Sequence, residues 1–163
     1  MGALTLNTQP VQRAATKPLW PHPVYSAEGV SGIAKVPPAG GPILIVEDEF
    51  LVAMQAEAAL ADAGYNVGGI ASSAEEALEI AEAERPVLVV MDIRLAGKRD
   101  GIDAALELFS KFGIRCVFAS AHQDKEARMR GEPARPLAWL PKPYSMPELV
   151  ATVQAALARL RDD

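Results

Sequence analysis

Three acids, a hydroxyl and a lysine each follow a short apolar run of the sequence: Glu47, Asp48, Asp92, Ser120 and Lys142. Carboxylate oxygens are the ligands that Mg²⁺ prefers, and Mn²⁺ accepts the same donors. Carboxylates close together raise one another's pKa, so a cation is their expected counterweight. An aspartate can also attack phosphorus and form an acyl phosphate, and a nearby lysine stabilises the charge of that transfer. These residue types indicate a site that binds a divalent cation and accepts a phosphoryl group.

The apolar runs are predicted to be strands of a parallel sheet. Residues 43–46, 87–91 and 114–119 are continuously apolar, as is typical of strands covered on both faces. Weaker strands are predicted at 66–71 and 137–140. In such sheets the functional crevice lies at the carboxyl ends of the strands. We therefore expect the acids, the hydroxyl and the lysine to share one edge of the sheet.

Amphipathic segments alternate with these strands. Capping boxes at Ser73 and Ser145 predict two helices, the first ending near Glu84. The spacing of apolar residues over 102–109 predicts another. The segment 122–136 is mostly polar, so a helix there is expected to be weakly anchored. Right-handed crossovers then give an α/β fold, a doubly wound five-stranded parallel sheet with helices on both faces.

Composition excludes several functional classes. The net charge of the 163 residues is −5, which argues against a basic nucleic-acid-binding surface. No stretch approaches the roughly 20 apolar residues of a membrane helix, and no secretory signal is visible. The lone Cys116 lies within a predicted strand and is expected to be a buried apolar residue. We expect a cytoplasmic protein without a nucleic-acid or membrane partner.

Residues 1–42 differ in composition from the rest of the chain. They contain seven prolines and a single acid, and they show no sustained periodicity. Proline lacks a backbone donor and blocks helix formation, so a flexible arm is predicted. Residues 43–163 are predicted to form the folded domain. Only three residues follow the last helix, which predicts a single-domain protein.

Each candidate residue has a simpler explanation when it is taken alone. An acid after a strand often serves a helix N-terminus, as Asp48 or Glu49 could. Ser120 alone would be a turn or cap residue, and Lys142 alone a surface lysine. Trp139 alone would more often be a core residue. The coincidence of all these groups at strand ends favours a shared site.

Four motifs together resemble the receiver domain of bacterial two-component response regulators. They are the segment ILIVEDE from Ile43, VVMD ending at Asp92, VFAS ending at Ser120, and LPKPY around Lys142. The resemblance covers residues 43–161. It implies a flavodoxin-like fold of the stand-alone, single-domain type. It also implies phosphorylation of Asp92 by a histidine kinase or a phosphotransfer protein.

The resemblance further implies a role for each site residue. The cation would be held by three side chains and one backbone carbonyl, those of Glu47, Asp48, Asp92 and Arg94. Ser120 would follow the phosphoryl group, Lys142 would bridge to it, and Trp139 would act as an aromatic switch. The peptide bond between Lys142 and Pro143 would be cis.

The family's mode of action sets the remaining expectations. The protein would not be an enzyme beyond Mg²⁺-assisted self-phosphorylation and autodephosphorylation. A downstream protein partner would recognise the switched surface formed by residues 120–144. The protein would be a monomer or a weak dimer.

The sequence departs from the family pattern at several positions. Glu47 stands where aspartate is more common, and the longer side chain still reaches a cation. The loop 93–101 is one residue longer than usual. Trp139 is bulkier than the usual tyrosine or phenylalanine. His122 lies two residues beyond Ser120, at a position that in the family influences dephosphorylation.

Three other functions compete with this interpretation. A Mg²⁺-dependent phosphatase or phosphotransferase would also use a strand-end aspartate, but it needs an acid two residues later, where this chain has Arg94. An interaction module of receiver shape would need no phosphorylation, and the intact acids, Ser120 and Lys142 argue against it. A flavin-binding protein would need a Ser-, Thr- or Gly-rich phosphate loop after the first strand, which is not present.

Overall fold

The computed structural model describes residues 40–121 and 125–162. The elements in these ranges are, in chain order, β1 (Ile43–Val46), α1 (Phe50–Asp62), β2 (Val67–Ala71), α2 (Ala74–Glu84), β3 (Leu88–Asp92), α3 (Gly101–Phe112), β4 (Cys116–Ala121), α4 (Lys125–Gly131), β5 (Ala138–Lys142) and α5 (Met146–Asp162). A 3-10 turn at Glu132–Ala134 follows α4. Residues 1–39, which hold most of the predicted arm, lie outside the described part, and so does His122.

The five strands form one parallel sheet in the order β2-β1-β3-β4-β5. Successive side chains of β1 point to opposite faces of the sheet. Leu44 and Val46 join the core beneath α2, α3 and α4, whereas Ile43 and Ile45 join the core beneath α1 and α5. Because both faces are covered, the central strands β1, β3 and β4 are apolar up to their carboxyl ends. The predicted doubly wound α/β fold is confirmed.

Strands β3, β4 and β5 extend further toward their carboxyl ends than the predicted apolar runs do. Asp92 is the last residue of β3 and pairs with Ala119, and Lys142 is the last residue of β5 and pairs with Ala121. Ser120 likewise lies within β4 and not after it. Strand pairing involves backbone groups, so a polar side chain at the exposed edge does not end it. The side chains of Asp92, Ser120 and Lys142 are therefore held by the sheet itself.

The two predicted capping boxes differ in the structure. At α5, the N–H of Ser145 donates to the Glu148 carboxylate at 2.7 Å and the N–H of Glu148 donates to the Ser145 hydroxyl at 3.4 Å, which completes the box. At α2, the Ser73 hydroxyl accepts from the N–H of Glu76 at 3.2 Å. The Glu76 carboxylate, however, accepts from the N–H of Ser72 and not of Ser73. Both predicted helices are confirmed, but the capping box at α2 is only half formed.

The predicted weak helix between β4 and β5 is short. α4 comprises seven residues, of which only Ala127 and Gly131 are buried. Met129, its one large apolar side chain, is 73% exposed. Few apolar contacts therefore hold α4 on the sheet. The polar contacts of its arginines, Arg128 and Arg130, contribute the rest of its attachment.

Two further features of the described residues bear on the sequence predictions. Cys116 is a buried free cysteine in β4, as predicted, and burial raises the pKa of its thiol. None of the helices within the described ranges has the length and apolar character needed to cross a bilayer.

Candidate functional site

Three carboxylates meet at the carboxyl edge of neighbouring strands. β1 and β3 pair with Val46 opposite Met91, so the next residues, Glu47 and Asp92, lie side by side. One oxygen from each of Glu47, Asp48 and Asp92 lies within 4.8 Å of the others. Glu47 and Asp92 are each only 6% exposed, whereas Asp48 is exposed. The sheet therefore concentrates negative charge at a partly desolvated point.

Backbone N–H groups orient the two buried carboxylates. The N–H of Arg94 donates to Oδ1 of Asp92 at 3.1 Å, and the N–H of Glu49 donates to Oε1 of Glu47 at 3.1 Å. Each bond spans two residues, so the loop that follows each strand turns back on its own strand-end acid. Glu49 occupies the N-cap position of α1, but its side chain makes no capping hydrogen bond. The simple capping explanation for this acid therefore fails.

Lys142 supplies the positive charge of the site. Its Nζ donates to Oδ2 of Asp92 at 2.7 Å and to Oε2 of Glu47 at 3.4 Å, reaching across the end of β4. Burial alone lowers the pKa of Lys142, but the hydrogen bond and charge of Asp92, with the charge of Glu47, outweigh it and raise the pKa. Lys142 is therefore charged at neutral pH. The bond from Lys142 to Pro143 is cis, as the resemblance implies.

The carboxylates remain incompletely neutralised by this one lysine. The pKa of Glu47 is raised, chiefly because burial disfavours its charged form and also because of the negative charge of Asp92. The hydrogen bond from Glu49 and the charge of Lys142 oppose the shift without cancelling it. Partly buried oxygen ligands with excess negative charge fit a hard divalent cation such as Mg²⁺. The donor set contains no sulfur or imidazole and so does not favour softer metals.

A cavity of about 570 Å³ opens beside Asp92. Its lining includes Asp92, Arg94, Ser120 and Lys142, so the predicted acceptor, hydroxyl and lysine face one space. Apolar side chains, among them those of Tyr144 and Met146, line the part nearest α5. Arg94 is exposed at the rim. The Lys142 ammonium and the Ser120 hydroxyl both line this space, which suits a small anion held between them.

Trp139 lies apart from this cavity. Its ring packs on Phe118 of β4, with ring centroids 4.6 Å apart. The guanidinium of Arg128, on α4, lies 4.9 Å from the centroid of the Trp139 ring. A Cβ added to Gly131 would come within 3.1 Å of the Trp139 ring, so α4 lies directly over it. Trp139 therefore connects the end of β5 to α4 and does not contact the acids.

A link between the loop after Asp92 and α4 was not predicted from the sequence. The Asp100 carboxylate accepts from the N–H groups of Ile102 and Asp103 and caps α3. Its other oxygen accepts from Arg130 of α4 at 2.8 Å. The Asp-Gly dipeptide before an apolar helix signals such a cap. No local signal could have identified the partner, which lies 30 residues away.

Gly101 brings this cap against the acceptor strand. A Cβ built on Gly101 would lie 1.9 Å from the carbonyl oxygen of Asp92, and the Gly101 N–H donates to the Ile93 carbonyl at 2.8 Å. Only glycine allows this approach. The start of α3 is therefore in direct backbone contact with the end of β3.

Comparison with known proteins identifies the family. Residues 43–154 match the family model of the response regulator receiver domain. The transcriptional regulatory protein PdtaR of Mycobacterium tuberculosis is 38% identical over 120 residues, 74% of this chain and 58% of that protein. The phyllosphere-induced regulator PhyR of Methylorubrum extorquens is 37% identical over 116 residues, 71% of this chain and 43% of that protein. The chain thus spans about half the length of these curated relatives.

Solved structures show the same likeness. The signal receiver domain of a modulated diguanylate cyclase from Desulfovibrio desulfuricans is 30% identical, with a TM-score of 0.68 over 74% of this chain and 96% of that chain. The response regulator PhyR from Brucella abortus is 32% identical, with a TM-score of 0.66 over 77% of this chain and 51% of that chain. The chain therefore belongs to the response regulator receiver family of two-component signalling proteins.

Proposed function

We propose that the protein accepts a phosphoryl group on Asp92 from a histidine kinase or a phosphotransfer protein. The observation that carries this proposal is the position of Asp92, which lines an open cavity, accepts a 2.7 Å hydrogen bond from Lys142 and adjoins two further acids. A carboxylate oxygen attacks phosphorus, so an O–P bond forms as the P–N bond of phosphohistidine breaks. The imidazole nitrogen of the donor retains the electron pair of that bond.

The divalent cation is proposed to be Mg²⁺, with Mn²⁺ as the substitute. Its ligands would be the side chains of Glu47, Asp48 and Asp92 with the backbone carbonyl of Arg94. The close approach of the three carboxylates supports this assignment. When bound, the cation would neutralise charge on the oxygens of the phosphoryl group.

The protein's own groups position and stabilise the reaction. Lys142 holds Oδ2 of Asp92 before transfer, and its ammonium would then pair with an oxygen of the phosphoryl group. The Ser120 hydroxyl lines the same cavity and would donate to another phosphoryl oxygen. Both groups lie on strand ends, so their positions are fixed before the donor arrives.

Signalling is proposed to follow from a shift between two states of the surface formed by residues 120–144. Ser120 and Phe118 lie two residues apart on β4, and Phe118 packs on Trp139. A contact that draws Ser120 toward the phosphoryl group would therefore bias the packing of Trp139 beneath α4. A downstream protein partner would bind the favoured state, with the regulator acting as a monomer or a weak dimer.

Catalysis of an external reaction is not part of the proposal. A phosphatase of this chemistry would need a general acid two residues after the nucleophile, and Arg94 cannot donate a proton at neutral pH. Continuous release of product from a phosphomonoester would support a phosphatase instead. Failure to bind Mg²⁺ and to accept phosphate would support an interaction module.

A small phosphodonor tests the proposal without a partner. With acetyl phosphate and Mg²⁺, the wild type should gain one phosphoryl group by intact mass, and Asp92→Asn should gain none. Glu79→Gln, an exposed acid on α2, is the matched control and should behave as the wild type. Equal labelling of the Asp92→Asn variant and the wild type would rule out Asp92 as the acceptor.

A further inference from the structure

A single arginine joins helix α4 to the start of α3. Nη1 of Arg130 donates to Oδ2 of Asp100 at 2.8 Å, and Nη2 donates to Oδ1 of Asp103 at 3.2 Å. Among the ion pairs formed within residues 40–121 and 125–162, only these two join α4 to another element. Because only Ala127 and Gly131 of α4 are buried, the position of this helix depends strongly on Arg130.

The Asp100 carboxylate binds both helices at once. Its Oδ1 accepts from the N–H groups of Ile102 and Asp103, at 3.0 and 2.9 Å, and its Oδ2 accepts from Arg130. The cap and the ion pair therefore use different oxygens and do not compete. The planar guanidinium spans two carboxylates, a geometry that a lysine cannot reproduce. Since the Arg130 and Asp100 side chains are 45% and 31% exposed, solvent screens the pair and its contribution is a modest factor.

The capped end of α3 lies against the end of the acceptor strand. The N–H of Gly101 donates to the carbonyl of Ile93 at 2.8 Å. A Cβ built on Gly101 would lie 1.9 Å from the carbonyl oxygen of Asp92. A displacement of the first turn of α3 is therefore transmitted directly to the backbone at the end of β3.

The loop between β3 and α3, residues 93–100, is fixed at both ends. At its start, the N–H of Arg94 donates to Oδ1 of Asp92 at 3.1 Å. At its end, Asp100 is held by the α3 cap and by Arg130. Loss of Arg130 would free one side of the second anchor. The backbone carbonyl of Arg94, a proposed ligand of the cation, belongs to this loop.

We propose that Arg130 is a positioning residue for the cation site: by holding Asp100, it keeps the loop 93–100 in the arrangement that presents the Arg94 carbonyl to Mg²⁺. Arg130 acts through Asp100 and touches neither the acceptor nor the cation. This role rests on the function proposed for Asp92 and its cation. A loop that is ordered before the cation arrives loses less conformational entropy on binding, so the cation binds more tightly. By reciprocity, bound Mg²⁺ would hold α4 more firmly.

Calorimetric titration of the full chain with Mg²⁺ tests this role before any phosphorylation. Arg130→Gln should raise the Kd for Mg²⁺ by about fivefold. Removing a positive charge by itself favours cation binding, so a weakening cannot arise from the charge change alone. Lys125→Gln removes an exposed charge from α4 and should not raise the Kd. Arg130→Lys keeps the charge without the fork and should give an intermediate Kd.

Two further comparisons locate the effect. In the Asp100→Asn background, Arg130→Gln should change the Kd less than it does in the wild type, because its main partner has lost its charge. Added salt should reduce the difference between Arg130→Gln and wild type. A wild-type Kd in Arg130→Gln, an undiminished effect in the Asp100→Asn background, or absence of Mg²⁺ binding by the wild type would overturn the proposal.

Hydrogen exchange separates positioning from simple stabilisation of α4. Mg²⁺ should slow amide exchange of residues 125–131 in the wild type and not in Arg130→Gln. Faster exchange in the variant with an unchanged Kd would mean that Arg130 only stabilises α4, and would overturn the proposal. At saturating Mg²⁺, Arg130→Gln should still gain a phosphoryl group from acetyl phosphate. Failure of this role with normal labelling of Asp92 is thus distinguishable from failure of the Asp92 assignment, in which Mg²⁺ binds but Asp92 is not labelled.

Discussion

The ammonium nitrogen of Lys142 lies 2.7 Å from Oδ2 of Asp92, although the two residues belong to strands separated by β4. The same nitrogen lies 3.4 Å from Oε2 of Glu47. The ammonium group of Lys142 thus contacts two carboxylates that are almost fully buried, where charge is poorly screened by solvent. Lys142 therefore both neutralises the site and holds the proposed nucleophile in place.

Replacing Lys142 should separate these two roles. In Lys142→Gln, phosphorylation of Asp92 by acetyl phosphate should slow by about 100-fold, because a positioned charge beside the transferring group is lost. Mg²⁺ should bind more tightly to the same variant, because the competing ammonium is gone. Stopped-flow phosphorylation and calorimetric Mg²⁺ titration measure the two effects.

Lys111→Gln is the matched control, since Lys111 lies on the surface of α3 and pairs only with Glu107 among the described salt bridges. It should change neither quantity. A Lys142→Gln variant that is phosphorylated at the wild-type rate would contradict the role given to Lys142.

Mg²⁺ should stabilise the folded protein. A ligand that binds only the native state raises the free energy of unfolding by about 2.7 kcal/mol at a concentration about 100 times its Kd. Asp48→Asn should abolish this gain, and because Asp48 is exposed the fold should persist. Glu79→Gln should retain the gain. Thermal unfolding with and without Mg²⁺ measures it, and equal stabilisation of Asp48→Asn and wild type would remove Asp48 from the ligand set.

Gly101→Ala should destabilise the protein. Alanine in place of an exposed helical glycine ordinarily stabilises by roughly 0.5–1 kcal/mol. Here the new Cβ would lie 1.9 Å from the Asp92 carbonyl oxygen, so the start of α3 or the end of β3 must move. We expect a loss of about 1–3 kcal/mol in the free energy of unfolding, measured with urea. A gain in stability would show that α3 does not press on β3.

Much of the fold could be predicted because its strands are covered on both faces. Residues 43–46 are a strand in the sequence pattern and in the structure with the same bounds. The location of the site could be predicted because the carboxyl ends of parallel strands lie at the same edge of the sheet, where the functional crevice forms. The polar residues at the ends of three strands, Asp92, Ser120 and Lys142, were therefore predicted to lie together, and in the structure they line one cavity.

The features that could not be predicted from the sequence depend on tertiary contacts. The pairing of Asp100 with Arg130 joins residues 30 positions apart, and no periodicity encodes it. α1 carries apolar residues over most of its surface, with only Glu57 and Asp62 charged, and such a sequence is typical of a buried helix. Only the structure shows that Phe50 and Leu51 face outward. The partner of Glu76, Ser72 instead of Ser73, depends on how the chain enters α2.

The Asp100 carboxylate should make stability depend on pH in acid. Burial alone raises the pKa of Asp100, but hydrogen bonds from Arg130 and the N–H groups of Asp103 and Ile102 lower it below its ordinary value of 3.8. The native state thus binds this proton less readily than the unfolded chain. The stability that the charged Asp100 carboxylate confers is complete above pH 3.8, and it is lost as pH falls through the lowered pKa of the native state.

Asp100→Asn isolates this contribution, because asparagine still caps a helix. Wild type should be more stable than the variant at pH 7, and the difference should shrink below pH 3.8. Urea unfolding of both proteins at several pH values measures it, and groups common to both cancel. A difference that stays constant down to the acid limit would mean that Arg130 does not interact with the charged carboxylate.

Chemical location of the phosphoryl group tests directly whether Asp92 is the acceptor. Borohydride reduces an aspartyl phosphate to homoserine, and peptide mass spectrometry then identifies the residue. After treatment with acetyl phosphate and Mg²⁺, homoserine should appear at position 92 and nowhere else. Homoserine at position 48, or a stable phosphate on Ser120 with Asp92 unchanged, would contradict it.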